Sequence, residues 1–220
     1  TVKTRTVVVE PRKQPDVGNP EGKVIYLTFD DGPGPYTDEL LYLLDHYGVK
    51  ATFFLIGNQV EAHRETILRM AEEGHQIGIH SWDHVQLEGL TQGETQAQLD
   101  QCRRVLTDLL GPLEFMVRPP YGFVDENLKQ WANAPIICWD VDTLDWQDMD
   151  PHRIFETILE ETRDGSILLL HDIFPTSVEA ALTSVDALLE RGFRFVTLEE
   201  LFFLRGVTPE NGQVYLALYP

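Results

Sequence analysis

Apolar residues follow two different patterns along the chain from residue 23 to residue 205. Short runs that are almost entirely apolar alternate with longer segments in which apolar residues recur every three or four positions. Short apolar runs of this kind are typical of strands buried on both faces of a sheet. The predicted strands are Val24–Phe29, Ala51–Ile56, Gln76–Ile79, Phe115–Val117, Ile136–Trp139, Ile167–Leu170 and Phe193–Val196.

The segments between these strands have helical periodicity and helical boundary signals. Thr91 and Glu94 have the spacing of a capping box, and Asn58 is the expected N-cap of the second helix. The predicted helices are Tyr36–Tyr47, Gln59–Glu73, Thr91–Leu110, Asp125–Ala132, Pro151–Arg163, Val178–Glu190 and Leu198–Leu204. Glycine tolerates the left-handed conformation that ends many helices, and it stands just past six of these segments, at Gly48, Gly74, Gly111, Gly165, Gly192 and Gly206.

The alternation of about seven strand–helix units predicts an α/β fold with parallel strands and helical crossovers. Two architectures fit the pattern at this point. One is an open doubly wound sheet, and the other is a (β/α) barrel slightly smaller than the usual eight units. A last apolar run, Val214–Tyr219, is expected to add a peripheral strand.

The first 22 residues differ from the rest of the chain. Five proline and glycine residues punctuate them, which is typical of a linker, although Thr6–Val9 has the composition of a short strand. They lack the apolar core and the cleavage site of a signal peptide, and no run in the chain approaches the ~20 apolar residues that span a bilayer. Because the chain begins without methionine, we expect a processed or truncated product.

Composition and charge narrow the classes of function. The chain has 220 residues, 43% of them hydrophobic and 24% charged, which suits one globular domain with a sizeable core. Its net charge of −19 disfavours binding to nucleic acid and docking on anionic membranes, since both need a cationic surface. Its two cysteines, Cys102 and Cys138, are too few for a disulfide framework or a four-thiolate zinc site.

Polar and titratable residues concentrate at the ends of five predicted strands. The carboxyl ends of parallel strands lie on one face of an α/β fold, where active sites are built, so we expect these residues to converge. They are Asp30 and Asp31 after the first strand, His80, Ser81 and His84 after the third, Arg118 and Tyr121 after the fourth, Asp140, Asp142, Asp145 and Trp146 after the fifth, and His171 and Asp172 after the sixth.

The adjacent carboxylates of Asp30 and Asp31 allow two interpretations. They repel each other unless a cation or strong donor compensates, which suits one metal ligand beside one carboxylate that faces a reacting water. Successive residues at a strand end point in different directions, so the two can act differently. The alternative is a solvated turn, because Asp-Gly-Pro is common in turns.

His80 and His84 have the spacing of a metal-binding pair. On a helical turn, imidazoles four residues apart share a face and can bind one ion. Two histidines and one carboxylate leave a position for water, as catalytic zinc requires, and Asp30 or Asp31 is the natural third ligand. The remaining histidines lack such neighbours and are interpreted as surface or packing residues: His46, His63, His75 and His152.

Arg118 and His171 are candidates for supporting a reaction. The prolines after Arg118 would hold its guanidinium against a carboxylate, with a structural salt bridge as the alternative, and the backbone N–H of Tyr121 could point into the site. A buried carboxylate such as Asp145 beside His171 would raise the pKa of the imidazole and suit it to general acid catalysis. The alternative is a histidine satisfied within the core.

Five segments, taken together in this order, resemble the motifs of polysaccharide deacetylases, the NodB-homology enzymes of carbohydrate esterase family 4. They are Thr28–Pro33, His80–His84, Arg118–Tyr121, Asp142–Trp146 and Leu169–His171. The resemblance covers residues 23–205 and implies a distorted (β/α) barrel rather than an open sheet. The expected domains are an N-terminal linker at residues 1–22, a catalytic domain at 23–205 and a C-terminal tail at 206–220.

The resemblance also implies catalytic roles. Asp30 is similar to the general base, and Arg118 to the residue that orients it. Tyr121 is similar to the residue whose backbone N–H helps to hold the oxyanion. His171 is similar to the general acid, and Asp145 to the carboxylate that tunes it.

Binding roles follow from the same resemblance. The implied cofactor is a divalent metal ion, usually zinc, although cobalt and other ions also serve, and the residues similar to its ligands are Asp31, His80 and His84. The residues expected to contact substrate are Trp146 and Leu169, as walls of an acetyl pocket, and Trp82 and Tyr121, as aromatic surfaces for sugar rings.

The implied reaction is the metal-dependent removal of N-acetyl groups from an N-acetylglucosamine polymer, such as peptidoglycan or a chitin-like oligosaccharide, with release of acetate. Two alternatives stay open: an O-acetyl esterase acting on acetylxylan, and a non-catalytic carbohydrate-binding module. The expected partner is an acetylated polysaccharide, bound by a monomer outside the cell or at its surface.

Overall fold

The computed structural model describes residues 22–220, so most of the predicted linker and the predicted strand Thr6–Val9 lie outside the described residues. Its strands are β1 (Lys23–Asp30), β2 (Thr52–Leu55), β3 (Gln76–Ile79), β4 (Ile136–Ile137), β5 (Val141–Asp142), β6 (Ile167–His171), β7 (Phe193–Phe195) and β8 (Val214–Tyr215). Its α-helices are α1 (Thr37–Tyr47), α2 (Arg64–Glu72), α3 (Gln92–Leu110), α4 (Glu126–Trp131), α5 (Asp145–Asp148), α6 (Pro151–Glu161), α7 (Pro175–Glu190) and α8 (Leu198–Arg205). Two 3-10 helices span Gly57–His63 and Pro120–Gly122.

Parallel pairing arranges these strands into a distorted barrel. Five strands lie side by side in the order β3-β2-β1-β6-β5, and β7 pairs with the start of β1. The pair β4–β8 fills the gap on the other side, because Val117 bridges both β3 and β4 while Ala217, just after β8, bridges Ser166 just before β6. The strands therefore close on themselves, which confirms the predicted barrel.

The alternation of side chains along β1 divides the interior into two apolar regions. Val24 and Tyr26 face the barrel interior, where they pack in one cluster with Leu201 and Phe202 of α8. Residues at the intervening positions, such as Ile25 and others of β1, pack in a second cluster with the surrounding helices. Helix α8 thus closes the barrel near the start of β1, and the opposite end stays available for polar groups.

Most predicted helix boundaries are confirmed. Thr91 and Glu94 form the expected capping box at the start of α3. The six glycines predicted to follow helices all have positive φ angles, between 63° and 95°. The N-cap prediction for Asn58 is wrong, since that residue lies inside the 3-10 helix. The N–H groups of Gly57 and Asn58 instead donate to the carbonyls of Ser81 and Trp82, so a distant loop satisfies this helix start.

Several predicted strands are shorter than the sequence pattern indicates. The strand predicted at Phe115–Val117 is reduced to isolated bridges at Val117. The strand predicted at Ile136–Trp139 stops after Ile137, where the carbonyls of Ile137 and Cys138 accept hydrogen bonds from Arg118. The C-terminal run forms a strand only at Val214–Tyr215. None of the helices in residues 22–220 is long and apolar enough to cross a bilayer.

Candidate active site

A cavity opens at the carboxyl ends of the barrel strands, and all five polar strand ends predicted from the sequence contribute to it. This confirms the predicted convergence, although Ser81, Arg118, Asp140, Asp145 and Asp172 do not line the cavity themselves. The lining residues are Asp30, Asp31, His80, His84, Tyr121, Phe123, Trp139, Asp142, Trp146, Leu169 and His171.

Arg118 holds the carboxylate of Asp30 from inside the barrel. Its guanidinium is fully buried and lies over the ring of Phe54, with 4.2 Å from the guanidinium carbon to the ring centroid. Nη1 donates to Asp30 Oδ1 at 2.9 Å and to Thr28 Oγ1 at 2.6 Å. Nε and Nη2 donate to backbone carbonyls, so the guanidinium has one orientation. The expectation that Arg118 is held against a carboxylate is confirmed.

Asp31, His80 and His84 bring three donor atoms together, all within 4.8 Å of one another. Asp31 Oδ1 lies 3.3 Å from His80 Nε2 and 3.1 Å from His84 Nε2. This oxygen is buried and has no hydrogen-bond partner among the described residues, as expected of an atom that faces a cation. Two imidazoles and a carboxylate are a donor set that zinc and similar divalent ions accept, so the residues fit a metal site.

The loop between the two histidines differs from the helical turn that their spacing suggested. Ser81 and His84 have φ angles of 62° and 63°, and the N–H of His84 donates to Ser81 Oγ at 3.0 Å. The loop backbone, rather than a helix face, brings the imidazoles together. His80 Nδ1 lies 2.7 Å from the carbonyl oxygen of Arg118, which requires the proton on Nδ1 and leaves the Nε2 lone pair facing Asp31.

The three groups of this cluster shift one another's pKa values. Burial by itself would raise the pKa of Asp31, but the neighbouring imidazoles of His80 and His84 outweigh it and hold the pKa of this carboxyl well below its ordinary range. The Asp31 carboxylate beside it raises the pKa of His84, against the opposing effect of burial. The cluster therefore favours an ionised carboxylate, which is the form that binds a metal ion.

His171 is paired with a fully buried carboxylate, as the sequence predicted. Asp145 Oδ1 lies 2.8 Å from His171 Nδ1, and Asp145 Oδ2 accepts the backbone N–H of His171 at 2.7 Å. Burial alone would lower the pKa of His171, but the hydrogen bond and charge of Asp145 raise it to about 9. The imidazole is therefore a proton donor at neutral pH. Because Asp145 occupies Nδ1, the other nitrogen, Nε2, can donate a proton to a group in the cavity.

Aromatic and apolar side chains surround these polar groups. Three of the four residues predicted to contact substrate line the cavity. Trp146 and Leu169 line the cavity, and Tyr121 lies against His84 with 4.9 Å between ring centroids. Trp82 is not among the lining residues, because its ring packs beside Gly57.

Three lining residues were given no role by the sequence reasoning: Phe123, Trp139 and Asp142. Trp139 ends the predicted apolar strand Ile136–Trp139 and was therefore interpreted as a core residue. Asp142 belongs to the motif Asp142–Trp146, but no role was assigned to it. Phe123 lies exposed at the rim, and its only sequence signal is an aromatic residue two positions after Tyr121. The histidines outside the motifs lie away from the cavity, as expected; the buried His75, for example, accepts the N–H of Ala51 at 3.1 Å.

Comparisons with known proteins identify the family of this chain. A family model described as polysaccharide deacetylase matches residues 17–135. The peptidoglycan-N-acetylmuramic acid deacetylase PdaC of Bacillus subtilis is 37% identical over 83% of this chain and 39% of that protein. The peptidoglycan-N-acetylglucosamine deacetylase PgdA of Listeria monocytogenes is 39% identical over 82% of this chain and 39% of that protein. The chain thus spans about two fifths of the length of these relatives.

Solved structures show the same fold. A structure described as T48 deacetylase with substrate has a TM-score of 0.85 and 38% identity, covering 88% of this chain and 96% of that one. A family 4 acetyl xylan esterase from Clostridium thermocellum in complex with a cobalt ion has a TM-score of 0.84 and 30% identity, covering 89% and 99%. By family model, sequence and fold, the chain belongs to the polysaccharide deacetylase family, the NodB-homology proteins of carbohydrate esterase family 4.

Proposed function

We propose that this chain is a metal-dependent deacetylase that removes N-acetyl groups from an N-acetylglucosamine polymer, such as peptidoglycan or a chitin-like oligosaccharide, and releases acetate. One observation carries the proposal. The Asp31–His80–His84 cluster opens into the same cavity as two separate acid–base groups, Asp30 and His171, each with its own buried partner. Metal-assisted amide hydrolysis uses these three elements together: an electrophilic centre, a base for water and an acid for the departing amine.

Asp30 is proposed as the general base. Arg118 holds one carboxylate oxygen, Oδ1, at 2.9 Å, and the other oxygen, Oδ2, lies 3.7 Å from His80 Nε2, beside the metal cluster. That second oxygen is placed to accept a proton from water in the cavity. A divalent ion held by Asp31, His80 and His84, most simply zinc, would polarise the amide carbonyl and acidify water.

His171 is proposed as the general acid. An amine departs from a tetrahedral centre only after it receives a proton, and an imidazole whose pKa is raised to about 9 carries that proton at neutral pH. Asp145 fixes the ring through Nδ1 and stabilises its charged form. The proton therefore passes from Nε2 to the departing nitrogen.

The remaining cavity residues are proposed to hold the acetyl group and the sugar. Trp146 and Leu169 offer apolar walls for the methyl group. The backbone at Tyr121, with φ at 64°, is proposed to aim its N–H at the oxyanion, as the family resemblance implies. The exposed ring of Tyr121 offers a surface on which a sugar ring can stack.

A second candidate, hydrolysis of O-acetyl esters on xylan, is favoured by the structural similarity to a protein described as an acetyl xylan esterase. The placement of His171 as a proton donor favours the amide substrate, because an amine depends more strongly on protonation to leave than an alcohol does. Acetate release from peptidoglycan, chitooligosaccharides and acetylxylan, with zinc or cobalt present, separates the candidates. Release from acetylxylan alone would select the esterase, and release from none would leave a non-catalytic binding module.

The setting of the reaction belongs to the same proposal. We infer that residues 23–205 carry catalysis, with residues 206–220 attached through the β4–β8 pair. We propose that the protein acts as a monomer, outside the cell or at its surface, where it would meet an acetylated cell-wall polymer. Sedimentation of the zinc-loaded protein with insoluble chitin or peptidoglycan tests the partner, and analytical ultracentrifugation of the protein alone at increasing concentration tests the oligomeric state.

A further inference from the structure

Asp172 is a buried carboxyl that the proposed mechanism does not use. It directly follows His171 at the end of β6, and its side chain has no solvent exposure. Asp172 Oδ2 accepts a hydrogen bond from the hydroxyl of Thr37, the first residue of α1, while Oδ1 has no hydrogen-bond partner among the described residues. Burying a carboxyl group costs free energy of folding, so a buried carboxyl beside the site indicates a role there.

Thr37 connects this carboxyl to the turn that follows β1. The N–H of Gly34 donates to Thr37 Oγ1 at 2.7 Å, and the N–H of Thr37 donates back to the carbonyl of Gly34 at 3.3 Å. The hydroxyl of Thr37 thus accepts from the turn and donates to Asp172. Thr37 is itself fully buried, so water does not compete for these bonds.

Gly32 lies directly against the same carboxyl. A Cβ at this position would lie 2.3 Å from Asp172 Oδ1 and 2.4 Å from Oδ2, closer than any side chain permits. The backbone of the turn therefore packs against the Asp172 carboxyl at Gly32 and donates a hydrogen bond to Thr37 at Gly34. Asp30 and Asp31 immediately precede these two contacts, so the position of the turn sets the direction of both carboxylates.

We propose that Asp172 and Thr37 are positioning residues that hold the turn after β1 so that Asp31 faces the two imidazoles and Asp30 faces Arg118. The end of β6 then supports both sides of the site. His171 supplies the acid, and the next residue fixes the base and the metal ligand. The effect on catalysis rests on the proposed function, whereas the effect on metal binding does not.

The test compares Thr37→Val, which keeps the shape but removes the hydroxyl, with Thr37→Ser, which keeps the hydroxyl. Zinc affinity is measured by competition with a chromophoric chelator, and acetate release is measured on chitooligosaccharides. Thr37→Val is expected to bind zinc about 10-fold more weakly, the lower end of the cost of removing a direct partner of a metal ligand, because Thr37 acts on Asp31 through the turn. Thr37→Ser is expected to stay close to wild type.

Ser184→Ala is the matched control, because Ser184 Oγ is a buried hydroxyl that donates to the carbonyl of Ala180 at 2.7 Å within α7. It should lower thermal stability without changing zinc affinity. Asp172→Ala against Asp172→Asn repeats the comparison if Thr37→Val fails to fold, since the asparagine oxygen can still accept from Thr37 and the alanine cannot. We expect loss with alanine and near-retention with asparagine.

Wild-type zinc affinity in both Thr37→Val and Asp172→Ala would overturn the inference, as would an equal loss in Ser184→Ala. If wild type releases no acetate but Thr37→Val still binds zinc more weakly, the proposed function fails and the positioning role stands. If wild type is active and the variants match it in zinc affinity and kcat, the positioning role fails and the function stands.

Discussion

At the scale of single residues, the site depends on a buried ion pair that other groups of the chain support. The side chains of Asp30 and Arg118 are 3% and 0% exposed, and such a pair is tolerated only when the remaining donors also find acceptors. Thr28 and two backbone carbonyls meet that condition. The sequence indicated the pair, because a carboxylate and an arginine both follow predicted strands, but it could not show which carbonyls complete the set.

Arg118→Leu should be strongly destabilising. It leaves Asp30 as an uncompensated buried charge, for which removal of one partner typically costs about 3–5 kcal/mol. Urea denaturation measures the loss. Arg153→Leu is the control, because Arg153 is 67% exposed in its ion pair with Asp148 and exposed pairs contribute about 0–1 kcal/mol. Equal losses in the two variants would contradict the role of burial.

Asp145→Asn should shift the pH dependence of catalysis. The folded-state pKa of His171, about 9, lies above the ordinary value of 6.5. The paired imidazole therefore contributes stability that is fully present below about pH 6.5 and is lost as the pH rises through about 9. The proton donor is lost over the same alkaline range. Removing the Asp145 charge lowers the pKa of His171, so the alkaline limb of the kcat/KM profile should move to lower pH. An unchanged limb would contradict His171 as the acid.

At the scale of elements, local sequence signals predicted the boundaries of helices better than those of strands. Capping boxes and glycine stops depend on residues within one turn, and the predicted box of Thr91 and Glu94 forms. Strand ends depend on distant partners instead. Arg118 donates hydrogen bonds to the carbonyls of Ile137 and Cys138, where the predicted strand Ile136–Trp139 was expected to continue. The loop from His80 to His84 contains two non-glycine residues in the left-handed conformation, Ser81 and His84. The sequence carries no signal for that conformation.

Thr91→Ala tests whether α3 is stabilised independently of the site. Removing the N-cap hydroxyl should lower the free energy of unfolding by about 1 kcal/mol, with kcat unchanged. Thr91→Ser serves as control, since serine keeps the capping oxygen. Chemical denaturation and steady-state kinetics on the same preparations provide the two readouts, and a fall in kcat with Thr91→Ala would show that α3 is coupled to the site.

At the scale of the whole molecule, the C-terminal residues complete the barrel rather than trail from it. Strand β8 pairs with β4, and the N–H of Leu218 donates to the carbonyl of Gly165 at 2.9 Å. The hydroxyl of Tyr219 donates to Asp140 Oδ2 at 2.7 Å, beside the start of β6. The apolar run at Val214–Tyr219 predicted a strand here but not its partner, because nothing local specifies which edge of the sheet is open.

Truncation after Glu210 should lower the melting temperature markedly. It removes β8 and leaves backbone groups of β4 and of the segment before β6 unpaired inside the barrel wall. Removal of Pro220 alone is the control and should leave the melting temperature unchanged. Differential scanning calorimetry makes the comparison, and equal melting temperatures would contradict the closing role of the C-terminal segment.

The most direct measurement for the whole proposal is acetate release from a chitooligosaccharide by zinc-loaded wild type and zinc-loaded Asp30→Asn, with bound zinc quantified in both. Asparagine keeps the shape of the side chain beside Arg118 but cannot take a proton from water. We expect acetate from wild type, almost none from Asp30→Asn, and equal zinc content in the two proteins. Equal rates of acetate release by the two proteins, or no acetate from wild type on any acetylated glycan, would contradict the proposal.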